Sequence, residues 1–433
     1  MKKNLGLIIL FLFAVLALAG KYLRSRPLDR RCIAVTDTKV LNFETAAFED
    51  SAVLVMRDGR FAGRYAAFPE SLKQDNCSVF EGRGFYVIPG LIDSHTHLLA
   101  GDLIKVTSWK EALEGAAGRA EMSRLLIGEK NALSMLRAGF TAWRDLGNSG
   151  IYLDKKLAEL LGSKYEFAPL MIYSGPALAM PPSQVDLRKY PKEYEPINEN
   201  SDFNSIVIKH KRQGATWIKI YADNSGPDVS MPLNVARQII ASAHRFGLKV
   251  SVHAEHALSA AIALEYQPDS IEHFYRAPQG AEPDAQLKKS AVVLTDHSLV
   301  SCKNWNFSPD CDKEVLLSRE RTAWLKSRAY TLVFGSDAIL DTTGRFQSRG
   351  AAALDSLLAL SQLGFTGFEI VAMATKNAGE MLGLDVGQIK DNYRADLVMY
   401  KSDPLKDIEA LKSPQTVFAN GQIVCRTESE CAP

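Results

Sequence analysis

Two histidines one residue apart, His95 and His97, close the run PGLIDSHTHL (89–98). In an extended strand the side chains at i and i+2 share a face, so both imidazoles point the same way. Further groups of the same chemical kind end other apolar segments: Lys219 in TWIKIYA (216–222), His253 in KVSVHAE (249–255), His273 in SIEHF (270–274) and Asp337 in TLVFGSD (331–337). Imidazole and carboxylate ligands that leave one coordination position open lower the pKa of a bound water to about 7, which makes hydroxide available at neutral pH. Asp337 would then act as a ligand and as the base that moves a proton from the attacking water to the leaving group. Taken singly, each group has a plainer use: His273 as a hydrogen-bonded core histidine, Asp337 as a helix N-cap. Their common place at segment ends is what joins them into one site.

Lys219 needs its own account, because an ammonium within WIKIY is costly unless paired, neutralised or modified. Carboxylation of its amine by CO₂ would give a carbamate able to bridge two metal ions. A salt bridge to Asp or Glu is the structural alternative, and a Schiff-base lysine would not require the histidines. Tyr221 follows two residues later and so faces the same mouth, where its hydroxyl could stabilise an oxyanion or simply pack and hydrogen-bond. His297, in LTDHSLV (294–300), is a second candidate substrate contact.

Something must hold these groups together. From residue 86 short apolar runs alternate with helical stretches: YVIPGLID (86–93), GFTAWRDL (139–146), PLMIYSG (169–175), the four strands bearing Lys219, His253, His273 and Asp337, and AVVLTDHS (291–298). Eight buried strands separated by helices, such as VARQIIASAHRFG (235–247) with Gly247 to close it, predict an α/β fold built as a (β/α)₈ TIM barrel. Active sites of that fold lie at the C-terminal ends of its strands, where the candidate ligands fall. Before the barrel, CIAVTDTKV (32–40) and SAVLVMRDGRFAGRY (51–65), with a turn at Asp58-Gly59, read as β-structure. After it, VGQIK (386–390), ADLVMYKSDP (395–404) and TVFANGQIVC (416–425) do so again. The two ends are expected to combine into one small composite β-sandwich domain. The expected division is 1–26 as signal or anchor, 27–88 and 384–433 as the two parts of the sandwich, and 89–383 as the barrel.

Lys2 and Lys3 precede an uncharged, mostly apolar run to Gly20 that ends in Ala17-Leu18-Ala19, the pattern of a secretory signal. Lys21, Arg24, Arg26, Arg30 and Arg31 follow, which would also suit an uncleaved membrane tether through residues 5–20. Export to a periplasm or the outside is the expectation, with an anchored enzyme as the alternative. The six cysteines agree with an oxidising compartment: Cys302/Cys311 and Cys425/Cys431 lie close in sequence and leave Cys32 with Cys77, while scattered buried thiols would be the plainer reading. No Cys-x-x-Cys spacing points to a structural zinc. The 51 Lys and Arg nearly cancel the 50 Asp and Glu, and neither sign forms a block, so no nucleic-acid partner is expected and the substrate should be small.

PGLIDSHTHL resembles the signature of the amidohydrolase superfamily, and the order of His-x-His, Lys219, His253, His273 and Asp337 is similar to that of its binuclear members. LRAGFTAWRDLG (136–147), ATWIKIY (215–221), VSVHAE (250–255), SIEHF (270–274) and FGSDA (334–338) resemble the imidazolonepropionase-like branch, which includes zinc-dependent Xaa-Pro dipeptidases. The likeness runs from about residue 51 to 424. It implies two divalent metal ions, Zn²⁺ by analogy, with His95, His97, His253, His273 and Asp337 as ligands, an N6-carboxylated Lys219 as bridge, and Asp337 as general base. Two stretches depart from the relatives: YADNSGPDVSMPL (221–233), where glycine-rich sequence is common, and the segment around His297. Both lie where substrate would be held.

The leading expectation is therefore hydrolysis of an amide or peptide bond, in a dipeptide of the Xaa-Pro type or an N-acyl amino acid. A cyclic amide, lactone or ester is the runner-up. A mononuclear deaminase comes third and would not use Lys219, and an inactive scaffold should have lost a ligand position, which this chain has not. Neither Rossmann nor P-loop glycine spacing is present.

Overall fold

The computed structural model describes residues 32–74, 77–100, 114–181, 190, 192–226, 229–277, 290–296, 299–300, 311–338 and 348–433. The N-terminal apolar run and His297 lie outside the described residues. Among the described residues, no helix is long and apolar enough to cross a membrane.

The strands that carry the chemistry are short and β-branched or apolar, and both of their faces are covered. Leu91–Thr96, Phe140–Asp145 and Leu170–Tyr173 run parallel in one sheet. Ala177–Ala179, Trp217–Tyr221, Lys249–Ala254, Ser270–His273, Ala291–Leu294 and Leu332–Phe334 continue the parallel order in a second, with Tyr194–Pro196 at its edge. Leu170–Tyr173 and Ala177–Ala179 are two halves of the third barrel strand, broken between the sheets at Gly175 (φ +71°), where a Cβ would meet the Tyr152 ring at 2.4 Å. The circle closes where the eighth strand reaches the first: Asp337 N–H donates to His95 O (2.8 Å), and Ser336 N–H donates to Asp93 Oδ1 (2.9 Å). The outcome is the (β/α)₈ barrel.

Helices pack outside it by burying one stripe each. Leu233–Arg245 buries Val235, Ala236, Ile239, Ile240 and Ala243 and closes at Gly247 with φ +75°, as its pattern predicts. Each such buried Val or Ile contributes roughly 1.5–3 kcal/mol of transfer free energy.

The second unit is an eight-stranded sheet drawn from both ends of the chain. Cys32–Asn42, Ala47–Arg57 and Arg60–Tyr65 form an antiparallel meander. Its tight turn uses Asp58 (φ +52°) and Gly59 (φ +75°), the left-handed pair that a type I′ hairpin demands. Leu397–Tyr400 pairs with Tyr86–Pro89 and carries Thr416–Ala419 and Gln422–Cys425 beside it. The sheet curls until Arg60 bridges Arg394, enclosing Ile33, Val35, Leu54, Phe61, Leu397 and Phe418.

Two strand readings need correction. The run 86–93 is not one barrel strand: Tyr86–Pro89 belongs to the curled sheet, and the barrel strand begins at Leu91. Gly90 makes the break, since a Cβ there would lie 2.1 Å from Thr141 Oγ1 and its N–H is given to Asp396 O. VGQIK forms no strand, because Gly387 is left-handed (φ +76°) and packs on the Thr375 carbonyl. Cys32–Cys77 and Cys425–Cys431 are disulfides, Cys311 is also disulfide-bonded, and no described cysteine is free.

Candidate active site

His95, His97, His253 and His273 are buried at the C-terminal ends of their strands, Lys219 is buried midway along Trp217–Tyr221, and Asp337 joins them with its side chain 13% exposed. His95 Nε2 lies 3.3 Å from His97 Nε2, and Asp337 Oδ1 lies 3.4 Å from His97 Nε2 and 4.0 Å from His95 Nε2. His273 Nδ1 is 3.9 Å from Asp337 Oδ2. Candidate ligand atoms of His95, His273 and Asp337 fall within 4.8 Å of one another, as do those of His253, Glu255 and His273. The two groups share His273. The sequence-predicted residues thus meet at one locus, apart from His297, whose position lies outside the described residues.

Three of the imidazoles are held through Nδ1. His95 Nδ1 donates to Glu272 Oε2 (2.9 Å), and His97 Nδ1 donates to Gly147 O (2.7 Å). His273 Nδ1 is 2.6 Å from Thr295 Oγ1, and His253 Nε2 stands 3.3 Å from Asp223 Oδ2. Partners of this kind set the tautomer and aim of a metal-binding histidine. Because a carboxylate and a carbonyl can only accept, both Nδ1 atoms carry protons, and the two Nε2 atoms meet 3.3 Å apart with the Asp337 carboxylate beside them. Two ring nitrogens and a carboxylate converging on one point make a donor set that fits a divalent metal.

Electrostatics favour the same form. Burial, with the Lys219 charge adding to it, pushes His95 down to about 4, and burial holds His253 and His273 well below the usual imidazole range. Neutral rings are what metals bind. Burial also lowers Lys219 to about 8, against the opposing pull of Glu272 and Asp337, and its Nζ makes no hydrogen bond among the described residues. Among the described residues no carboxylate pairs closely with the amine, which fits a modified or metal-facing lysine. Glu272 is the counterweight: burial alone would raise it, but Arg144 and the His95 hydrogen bond hold it below the carboxylate range. Arg144 Nη2 reaches Glu272 Oε1 at 2.8 Å, Ser251 and Ser270 hydroxyls donate to the same oxygen, and the guanidinium lies 4.2 Å from the Trp217 ring centre.

Tyr221 stacks on the His253 ring at 4.0 Å with 15° between planes, and Tyr194 meets it edge-on. Sequence reasoning did not single out Glu272, Arg144, Asp223, Glu255 or Thr295. Opposite charges inside the apolar phrases TAWRDL and SIEHF were the available sign for the Arg144–Glu272 pair.

The chain belongs to the amidohydrolase family, whose model matches residues 86–424. It is a hydrolase of the class that acts on carbon–nitrogen bonds. Among curated relatives it is 22% identical to an ochratoxinase of Aspergillus niger (85% of this chain, 81% of that one). It is 24% identical to an imidazolonepropionase of Deinococcus radiodurans (88% and 92%). Among solved structures, a Xaa-Pro dipeptidase with methionine bound in its active site superposes with a TM-score of 0.72 at 19% identity, covering 90% of this chain and 99% of that one.

Proposed function

We propose that this protein hydrolyses an amide or peptide bond in a small substrate, a dipeptide of the Xaa-Pro type or an N-acyl amino acid, with two divalent ions, Zn²⁺, held by His95, His97, Lys219, His253, His273 and Asp337. The observation that carries the reading is the convergence of His95 Nε2 and His97 Nε2 on the Asp337 carboxylate. When bound, such ions supply Lewis acidity and bring the pKa of a water to about 7. Lys219, with part of its amine uncharged near neutral pH, attacks CO₂ and releases a proton to become a carbamate, which removes the buried positive charge. Asp337 accepts a proton from the attacking water and hands it to the leaving nitrogen. Thr295, Glu272 and Gly147 keep the imidazoles of His273, His95 and His97 in place during that transfer. Export of the chain to an oxidising compartment is part of the proposal and is supported by its disulfides.

A panel of Xaa-Pro and other dipeptides, N-acyl amino acids, imidazolone-type cyclic amides, lactones and esters, run before and after chelation, tests the substrate. Turnover of dipeptides or N-acyl amino acids that chelation abolishes is the expected result. Turnover confined to cyclic amides, lactones or esters would replace the reading.

A further inference from the structure

His97 gives its Nδ1 proton to the carbonyl of Gly147, and the turn that presents this carbonyl is an unusual one. Gly147, Asn148 and Gly150 all have positive φ (+101°, +55° and +62°), a backbone that a chain keeps only where its surroundings fix it. From within the turn, Ser149 reaches back to Asp145 Oδ1. From outside, two groups close on it: the Arg124 guanidinium donates to Asn148 O (2.7 Å), and the Glu193 carboxylate accepts from Gly150 N–H (3.0 Å).

We propose that the buried Arg124–Glu193 pair positions His97, fixing the turn whose Gly147 carbonyl aims that imidazole and tying it to the segment that carries Tyr194; this rests on the metal-dependent reading above. The two side chains are 4% and 1% exposed and meet as a fork, Arg124 Nη1 to Glu193 Oε1 at 2.6 Å and Nη2 to Oε2 at 3.1 Å. Arg124 Nε donates to Leu99 O (3.1 Å), two residues beyond His97. Asn131, on the same helix Glu121–Arg137, donates to Leu98 O (2.9 Å). One guanidinium therefore holds both the segment that follows His97 and the turn that aims its ring.

The geometry calls for arginine in particular. Nε, Nη1 and Nη2 together place four hydrogen bonds on three separate segments, which a lysine ammonium, a point charge on a flexible stem, does not reproduce. Gly150 gives the guanidinium its room, since a Cβ there would lie 3.1 Å from Arg124 Nη1. Glu193 extends the tie toward a second ligand. Tyr194, the next residue, meets Tyr221 edge-on, and Tyr221 stacks on the His253 ring.

The test uses Arg124→Lys, which keeps the charge and loses the fork, and the double variant Arg124→Met with Glu193→Leu, which leaves neither charge buried alone. Zinc affinity is read by competition with a chromophoric chelator, the visible spectrum of the Co²⁺-loaded protein reports ligand geometry, and the urea midpoint reports folding. Both variants should weaken zinc binding by about tenfold, the lower end of what loss of a ligand's direct partner costs, and both should alter the Co²⁺ spectrum. In the double variant these changes should come with a urea midpoint near that of the wild type. A pair that only stabilises the fold would instead lower the midpoint and leave zinc affinity and spectrum as they are, and that result would overturn the inference. If the double variant does not fold, Arg124→Lys decides by the same readings. Zinc binding absent from the wild type would overturn the metal-dependent reading as well, an outcome distinct from a wild type that binds and variants that bind equally.

Discussion

Lys219 and Asp337 sit in one site with opposite exposures, and their substitutions should fail differently. Asp337 reaches the mouth and carries the proton, so Asp337→Asn should lower kcat by about 10²–10⁴-fold with folding intact. Lys219→Ala should instead leave fewer than two metal equivalents on the protein, and unchanged metal content with unchanged rate would return the lysine to a structural role. Asp154 supplies a test remote from the ligands. Burial, with Asp145 nearby, raises it from 3.8 to about 7, while its carboxylate holds the Gly175 and Lys155 amides. Between those pH values the folded chain keeps a proton that the unfolded chain has lost, so this group makes stability fall as pH rises through the window. Asp154→Asn cannot ionise and should flatten the slope by up to about 1.4 kcal/mol per pH unit, read from urea unfolding at pH 5 to 8. An unaltered slope would show that Asp154 ionises normally. The ligand candidates were legible from residue type and strand periodicity. Their hydrogen-bond partners were not, because Glu272 meets Arg144 across the barrel and His273 meets Thr295 between neighbouring strands, pairings that no local pattern encodes.

Strands in this protein are only as useful as their closure. The eighth strand meets the first at Gly335, where a Cβ would lie 2.6 Å from His95 Cβ and 2.7 Å from Val293 Cγ1. Gly335→Ala should therefore displace His95, cutting activity and metal affinity at least tenfold, whereas Gly162→Ala, on a helix face with nothing within 4 Å, should be neutral or stabilise by up to about 1 kcal/mol. Equal behaviour of the two variants in a metal titration would refute the tight closure. Most barrel strands could be read from continuous apolar runs, because both faces are buried. The break at Gly90 could not, since nothing in YVIPGLID separates the sheet that Tyr86–Pro89 joins from the one Leu91–Thr96 joins. VGQIK misled for a related reason: its apolar spacing is strand-like, and only tertiary contact with Thr375 makes Gly387 turn.

At the scale of the whole molecule, distant segments are tied by covalent and sheet contacts. Cys32–Cys77 closes a separation of 45 residues, and Cys425–Cys431 one of six. Loop-closure entropy assigns about 4 kcal/mol to the first and about 2 kcal/mol to the second. Replacing Cys32 and Cys77 by alanine should thus cost more stability than replacing Cys425 and Cys431, and the reverse order in denaturant unfolding would contradict that reading. The expectation that both chain ends build one β unit came from tails too short to stand alone, and the pairing of Leu397–Tyr400 with Tyr86–Pro89 is how they meet. Metal content is the most direct test of the whole scheme: elemental analysis of protein purified without added metal, paired with amide hydrolysis before and after chelation. About two equivalents of divalent metal and activity lost on chelation are expected; metal-free protein with full activity would contradict it.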